Sequence, residues 1–160
     1  MKGINVASNI VYTVGGVYCI FNGGLITGCA LIVLSVASGW YHLDESVDDA
    51  RLADRWAMYA LILSLIFHHE PLILQLVFTV GGVLALKDVG SFRGVAGLAA
   101  VMTVVMLHYA DLGPMVLALV LFGVAVAVRT WTKHHWLWHF TSMLAAVAAF
   151  RALIAVFLAL

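Results

Sequence analysis

Apolar runs of near membrane-spanning length, separated by short polar breaks, follow one another through almost the whole chain. The first goes from about Val6 to Phe21 and stops at Asn22-Gly23-Gly24, a strong turn signal. The second, Leu25 to His42, gives way to the acidic stretch LDESVDDARLA. A third starts at Asp54-Arg55 and passes through WAMYALILSLIF to the polar break His68-His69-Glu70. Pro71 suits the first turn of a fourth helix, LILQLVFTVGGVLAL, where its missing N–H costs nothing. Lys87 to Arg93 is a charged loop, Gly94 to Tyr109 the fifth run, and Asp111-Leu112-Gly113-Pro114 a turn. Met115 to Val128 forms the sixth run, Arg129 to His134 a short basic loop, and the seventh run goes from His135 to the C-terminus. A helix needs ~17–25 residues to cross a bilayer, and each run sits near the lower limit. The expected fold is all-α: an integral membrane bundle of seven transmembrane helices, one domain over residues 1–160. The third run is the weakest, strictly apolar only from Trp56 to Phe67, and a re-entrant hairpin over Trp56 to Leu86 is its alternative.

Composition agrees with this pattern. Of the residues, 64% are hydrophobic and 10% charged, where a soluble domain carries ~25% charged. The formal net charge is zero, so no basic surface points to nucleic acid. Seven crossings would put Lys2, Arg51, Arg55, Lys87, Arg93, Arg129 and Lys133 on one side of the membrane, with only Arg151 toward the other. The positive-inside rule makes that side cytoplasmic and places the N-terminus there. Trp40, Tyr41, Trp56, Trp131, Trp136 and Trp138 read as interfacial anchors on the same side. Gly15-Gly16, Gly81-Gly82, Ala99-Ala100 and Ala148-Ala149 are small residues that let helices approach closely in lipid. Cys19 and Cys29 lie inside apolar runs and read as small buried hydrophobes.

Seven histidines are the main chemical resource. Seven spans sort them: His42, His134, His135 and His139 toward the cytoplasmic side, His68, His69 and His108 toward the other. Ser38 and His42 stand four apart at the end of the second run, which on a helix puts them on one face, one turn from each other. His135 and His139 repeat that spacing at the start of the seventh, the spacing by which helical zinc sites take two ligands from one helix. His42 can add the third ligand. Three imidazoles with one open position is a catalytic rather than a structural zinc pattern. Other readings of the same residues are histidines bonded to neighbouring helices, or a bis-histidine haem between His42 and His135 or His139. A retinal protein is disfavoured because no lysine lies inside a span, and a proton-coupled transporter because no acid lies at mid-membrane.

Three motifs taken together carry a resemblance: Ser38-Gly-Trp-Tyr-His42, Arg51-Leu-Ala-Asp54-Arg55-Trp-Ala-Met58 and His135-Trp-Leu-Trp-His139. They resemble the alkaline ceramidase group of a superfamily of seven-span membrane hydrolases that includes adiponectin receptors and haemolysin III-like proteins. YHLDESVDDARLADRWAMY is especially similar to short bacterial ceramidase-like members. The resemblance implies Zn2+ held by His42, His135 and His139. It implies that Asp54 orients or deprotonates a water, and that Ser38 hydrogen-bonds near the reaction centre, where it could donate to an oxyanion. The implied activity is hydrolysis of the amide or ester bond of a membrane lipid, an N-acyl lipid such as ceramide, in a bacterial inner membrane near its cytoplasmic face. The same residue set in the haemolysin III and adiponectin-receptor branch leaves open a relative with little hydrolysis. MKGINVASN lacks the acidic residues that bind calcium in eukaryotic ceramidases, so no calcium site is expected there, and Ala57 stands where the family has proline. Asp44, Glu45, Asp48 and Asp49 read as a solvated loop, His134 as an interface residue, and Arg151 as snorkelling or paired with Asp111 or Glu70. His68, His69, Glu70 and His108 contain no turn-spaced pair, and no second metal site is expected from them.

Overall fold

The computed structural model describes residues 2–89, 91–109, 112–131 and 135–157. Among them every regular element is a helix: α1 (Lys2–Ser8), α2 (Ile10–Phe21), α3 (Leu25–Leu43), α4 (Asp48–Ile66), α5 (Leu72–Leu86), α6 (Ser91–Tyr109), α7 (Leu112–Trp131) and α8 (His135–Phe157). Asn9, between α1 and α2, keeps right-handed helical angles (φ −65°, ψ −19°). The two therefore run on as one segment, Gly3–Phe21, which is long and apolar enough to cross a membrane, as are Leu25–Leu43 and His135–Ile154. Leu72–Leu86 and Met115–Trp131 are equally apolar but shorter. Gly23, at φ +87°, makes the turn between α2 and α3 in a conformation that a residue with a Cβ adopts only with strain.

Helix boundaries differ from the expectation at several points: the first segment starts at Lys2, α6 at Ser91 and α7 at Leu112, ahead of Val6, Gly94 and Met115, and two more bear on the site. α4 starts at Asp48, six residues before Asp54. Asp48 and Asp49 occupy its first turn, where carboxylates complement the positive end of the helix dipole. What reads as an acidic loop is therefore partly helix, held by Asp44 accepting from the Ser46 amide (3.0 Å) and by Arg51 donating to the Glu45 carbonyl (3.0 Å). Ala57 lies well inside α4 and is buried. At the other boundary α7 continues through Arg129 to Trp131. His134 and Asp111 fall outside the described residues, and Arg151 is exposed without an ion pair to Glu70.

Packing arranges the helices around a central space. α2 packs on α3, α3 on α4, α4 on α6, α6 on α7, α7 on α8, and α8 returns to α2. α5 stays outside this circuit against α4, and α1 lies across α3 and α8. The α2–α3 contact depends on two facing glycines. A Cβ on Gly16 would sit 2.6 Å from the Gly28 carbonyl oxygen, and one on Gly28 2.5 Å from that of Gly16. The core has Tyr12, Cys19, Leu31, Leu34, Phe150 and Leu153 at its centre.

The outer surface reverses the pattern of a water-soluble helix. On α5, Ile73 is 75% exposed and Val77 56%, while the buried residues are Gln75 and Thr79. Gln75 donates from Nε2 to the Ser64 carbonyl at 2.9 Å, so this buried amide is partnered inside the protein, whereas Thr79 Oγ1 is buried without a partner. Apolar side chains outward and polar ones inward is the stable arrangement for a helix facing lipid, where small and polar residues mediate helix contacts. Cys19 and Cys29 are free thiols, but only Cys19 is buried. Trp40, Trp131 and Trp136 are exposed, Tyr41 and Trp56 are half-buried, and Tyr41 and Trp138 line the central space.

Candidate metal centre

α3 ends and α8 begins beside one another, so the two four-residue spacings face inward together. Ser38 and His42 are both buried on α3; on α8 His139 is buried and His135 half-buried. One nitrogen from each of His42, His135 and His139 lies within 4.8 Å of the other two. Nε2 of His42 and Nε2 of His135 are 3.0 Å apart. Ring centroids stand 4.6 Å (His42–His135), 4.8 Å (His135–His139) and 5.1 Å (His42–His139) apart. The expected trio is thus assembled from positions 93 residues apart in sequence.

Asp54 reaches the same site from α4, half-buried, with the Ser38 hydroxyl beside its carboxylate. It also interacts electrostatically with His42 and with Arg129 of α7. All five residues line one cavity of about 640 Å³, with Arg129 and Thr130 also in its wall. A second, apolar space of about 240 Å³ adjoins it, bounded by Leu61, Leu65, Met102, Leu119 and Ala146. Tyr12, Leu34, Met58, Phe122 and Trp138 belong to both walls, so the polar site and the apolar chamber lie side by side.

The trio is backed by residues that sequence reasoning missed. Nδ1 of His139 lies 2.8 Å from Ser8 Oγ, and Nδ1 of His42 lies 3.5 Å from Glu45 Oε1. The Tyr12 ring packs on His139 at 5.7 Å between centroids and is held by a 2.6 Å hydrogen bond between its hydroxyl and Ser142. Ser8 had no signal, because its partner lies 131 residues away. Glu45 had one, an acid three residues after a histidine.

The donor set fits a small cation. A tetrahedral ion with metal–nitrogen bonds of 2.0–2.1 Å sets its ligand nitrogens roughly 3.3 Å apart. The His42–His135 pair is already near that distance. Partners on both Nδ1 atoms leave the Nε2 atoms of His42 and His139 to face inward, the orientation that outer hydrogen bonds impose on metal-ligating histidines. Two ring centroids 4.6 Å apart leave no width for a porphyrin plane between the imidazoles, which argues for an ion over haem. Among the described residues no other cluster of this kind occurs, and none includes His68, His69, Glu70 or His108. Compared with known proteins, the chain matches no family model, no curated protein and no solved structure.

Proposed function

We propose that the chain is an intramembrane zinc-dependent hydrolase that cleaves the amide or ester bond of a membrane lipid, ceramidase-like in its chemistry. The observation that carries this reading is a pair of neighbouring cavities with a shared wall. In the first three imidazoles converge beside Ser38 and Asp54; the second is an apolar chamber. A lipid acyl bond has the same two-part character, a polar group attached to a hydrocarbon chain. His42, His135 and His139 would hold zinc, which when bound polarises a carbonyl and acidifies water. Asp54 would take a proton from the attacking water and return it to the leaving amine or alcohol. Ser38 would hydrogen-bond near the reaction centre. Arg129, at the cavity wall, offsets the negative charge of Asp54.

The reading includes seven membrane crossings, with the N-terminus and the metal centre toward the cytoplasm. The spanning-length helices, the outward apolar face of α5 and the positive-inside pattern support it. Purified protein in detergent should release fatty acid from N-acyl sphingoid bases or from another N-acyl lipid. A chelator should stop the release, and added zinc should restore it. Zinc-loaded, folded protein inactive on amide and ester lipids alike would leave the non-hydrolytic relative of the same fold as the better reading.

A further inference from the structure

We infer that Ser8 is a positioning residue for the metal centre: its hydroxyl holds His139 in the tautomer that presents Nε2 to the ion. The inference rests on the reading of His42, His135 and His139 as a metal site. Its basis is a count of protons. Ser8 Oγ lies 2.8 Å from the Asn5 carbonyl oxygen and 2.8 Å from His139 Nδ1. A carbonyl oxygen only accepts, so the one hydroxyl proton goes to Asn5. Toward His139 the serine oxygen can then only accept, and Nδ1 must carry the hydrogen. A neutral imidazole has a single N–H. Nε2 is therefore left with its lone pair, as a metal ligand requires.

The surrounding structure makes this arrangement hard to replace. The Asn5 carbonyl also accepts from Asn9 Nδ2 at 2.8 Å, so it is fixed from two directions at the junction of α1 and α2. α1 packs on α3 and on α8, the two helices that carry the histidines. His139 is only 1% exposed, so solvent does not readily take the place of a lost serine. Glu45 makes the corresponding contact to His42 at 3.5 Å, but its side chain is 54% exposed and water can substitute for it. The two partners should therefore differ in importance although both face an Nδ1. On this account the N-terminal segment, which has no acid with which to bind a cation, serves the centre through one hydroxyl.

The test uses the full chain in detergent. Zinc affinity is measured by competition with a chromophoric chelator for wild type, Ser8→Ala, Ser8→Thr and Glu45→Gln, with thermal unfolding recorded for each. Ser8→Ala should bind zinc ten- to a hundredfold more weakly, the range found when outer partners of metal ligands are removed. Ser8→Thr should recover most of that loss, and Glu45→Gln should lose less than Ser8→Ala. Imidazole nitrogen NMR of the zinc-free wild type, assigned with His139→Gln, should show His139 protonated at Nδ1; protonation at Nε2 overturns the inference whether or not any variant folds. Folded Ser8→Ala binding zinc as tightly as wild type overturns it too, while leaving the three-histidine site standing. Wild type that takes up no zinc overturns both.

Discussion

The crossing of α2 and α3 at Gly16 and Gly28 can be tested by adding a single methyl group. Gly16→Ala would place a Cβ 2.6 Å from the Gly28 carbonyl oxygen and 2.8 Å from Ile32 Cγ1. The carbonyl belongs to a helix backbone and cannot rotate away. Carbon–oxygen contact closer than about 3.0–3.4 Å is repulsive, so α2 and α3 must separate by several tenths of an ångström, and overpacking of this kind costs about 1–3 kcal/mol. The substitution also removes a helix-interior glycine, which by itself favours the variant by about 0.8–1.0 kcal/mol. Gly81→Ala separates the two effects: Gly81 lies within α5 and a Cβ there meets nothing within 4 Å. The propensity gain is common to both variants and cancels in the comparison. Gly16→Ala should therefore be about 1–3 kcal/mol less stable than Gly81→Ala in equilibrium unfolding in mixed micelles. Two variants equal within ~0.5 kcal/mol, the usual scatter of changes that disturb no contact, would refute the crossing. The α2–α3 approach matters to the centre because α2 delivers Tyr12 beside His139 while α3 carries His42.

Other outcomes follow from the same structure. Asp54→Asn keeps an oxygen at this position but removes the proposed base; turnover on an N-acyl lipid should fall ~10²–10⁴-fold, with bound zinc retained by elemental analysis. His68, in the turn between α4 and α5, packs edge-on against Phe150 at 5.1 Å. Burial, and then the neighbouring His69, lower its pKa from 6.5 to about 4. Between those values the unfolded chain holds more protons than the folded one, so this contribution to stability is flat above about pH 6.5 and falls as the pH drops toward 4. Unfolding midpoints at pH 7.5 and 4.5 for wild type and His68→Gln should show a shallower loss in the variant.

Much of the site was legible because its residues obey helical spacing. Ser38 with His42, and His135 with His139, repeat at four residues, and counting runs placed both pairs and Asp54 at one end of the bundle. The structure puts all five in one cavity. Ser8 could not be read in the same way. A lone serine in a neutral segment gains its role only when α1 packs on α8, and no local pattern records that approach. The start of α4 was misplaced because hydropathy marks where a helix becomes apolar. Asp48 and Asp49 begin the helix for an electrostatic reason that hydropathy does not weigh. Trp138 was placed at the interface by residue type, yet it stands one residue from His139 and three from His135, on the arc of α8 that faces the cavity. The number of crossings rests mainly on sequence: α4 carries charge in its first turns and α5 is short, so length and apolarity alone qualify fewer helices.

The most direct measurement of the central claim is the zinc content of the purified chain, wild type against His139→Ala, with folding checked by circular dichroism. The account predicts about one zinc per wild-type chain and its loss in a variant that remains helical, because two imidazoles no longer make the three-nitrogen site. Folded wild type that takes up no zinc when it is offered, or His139→Ala that holds as much as wild type, would contradict it.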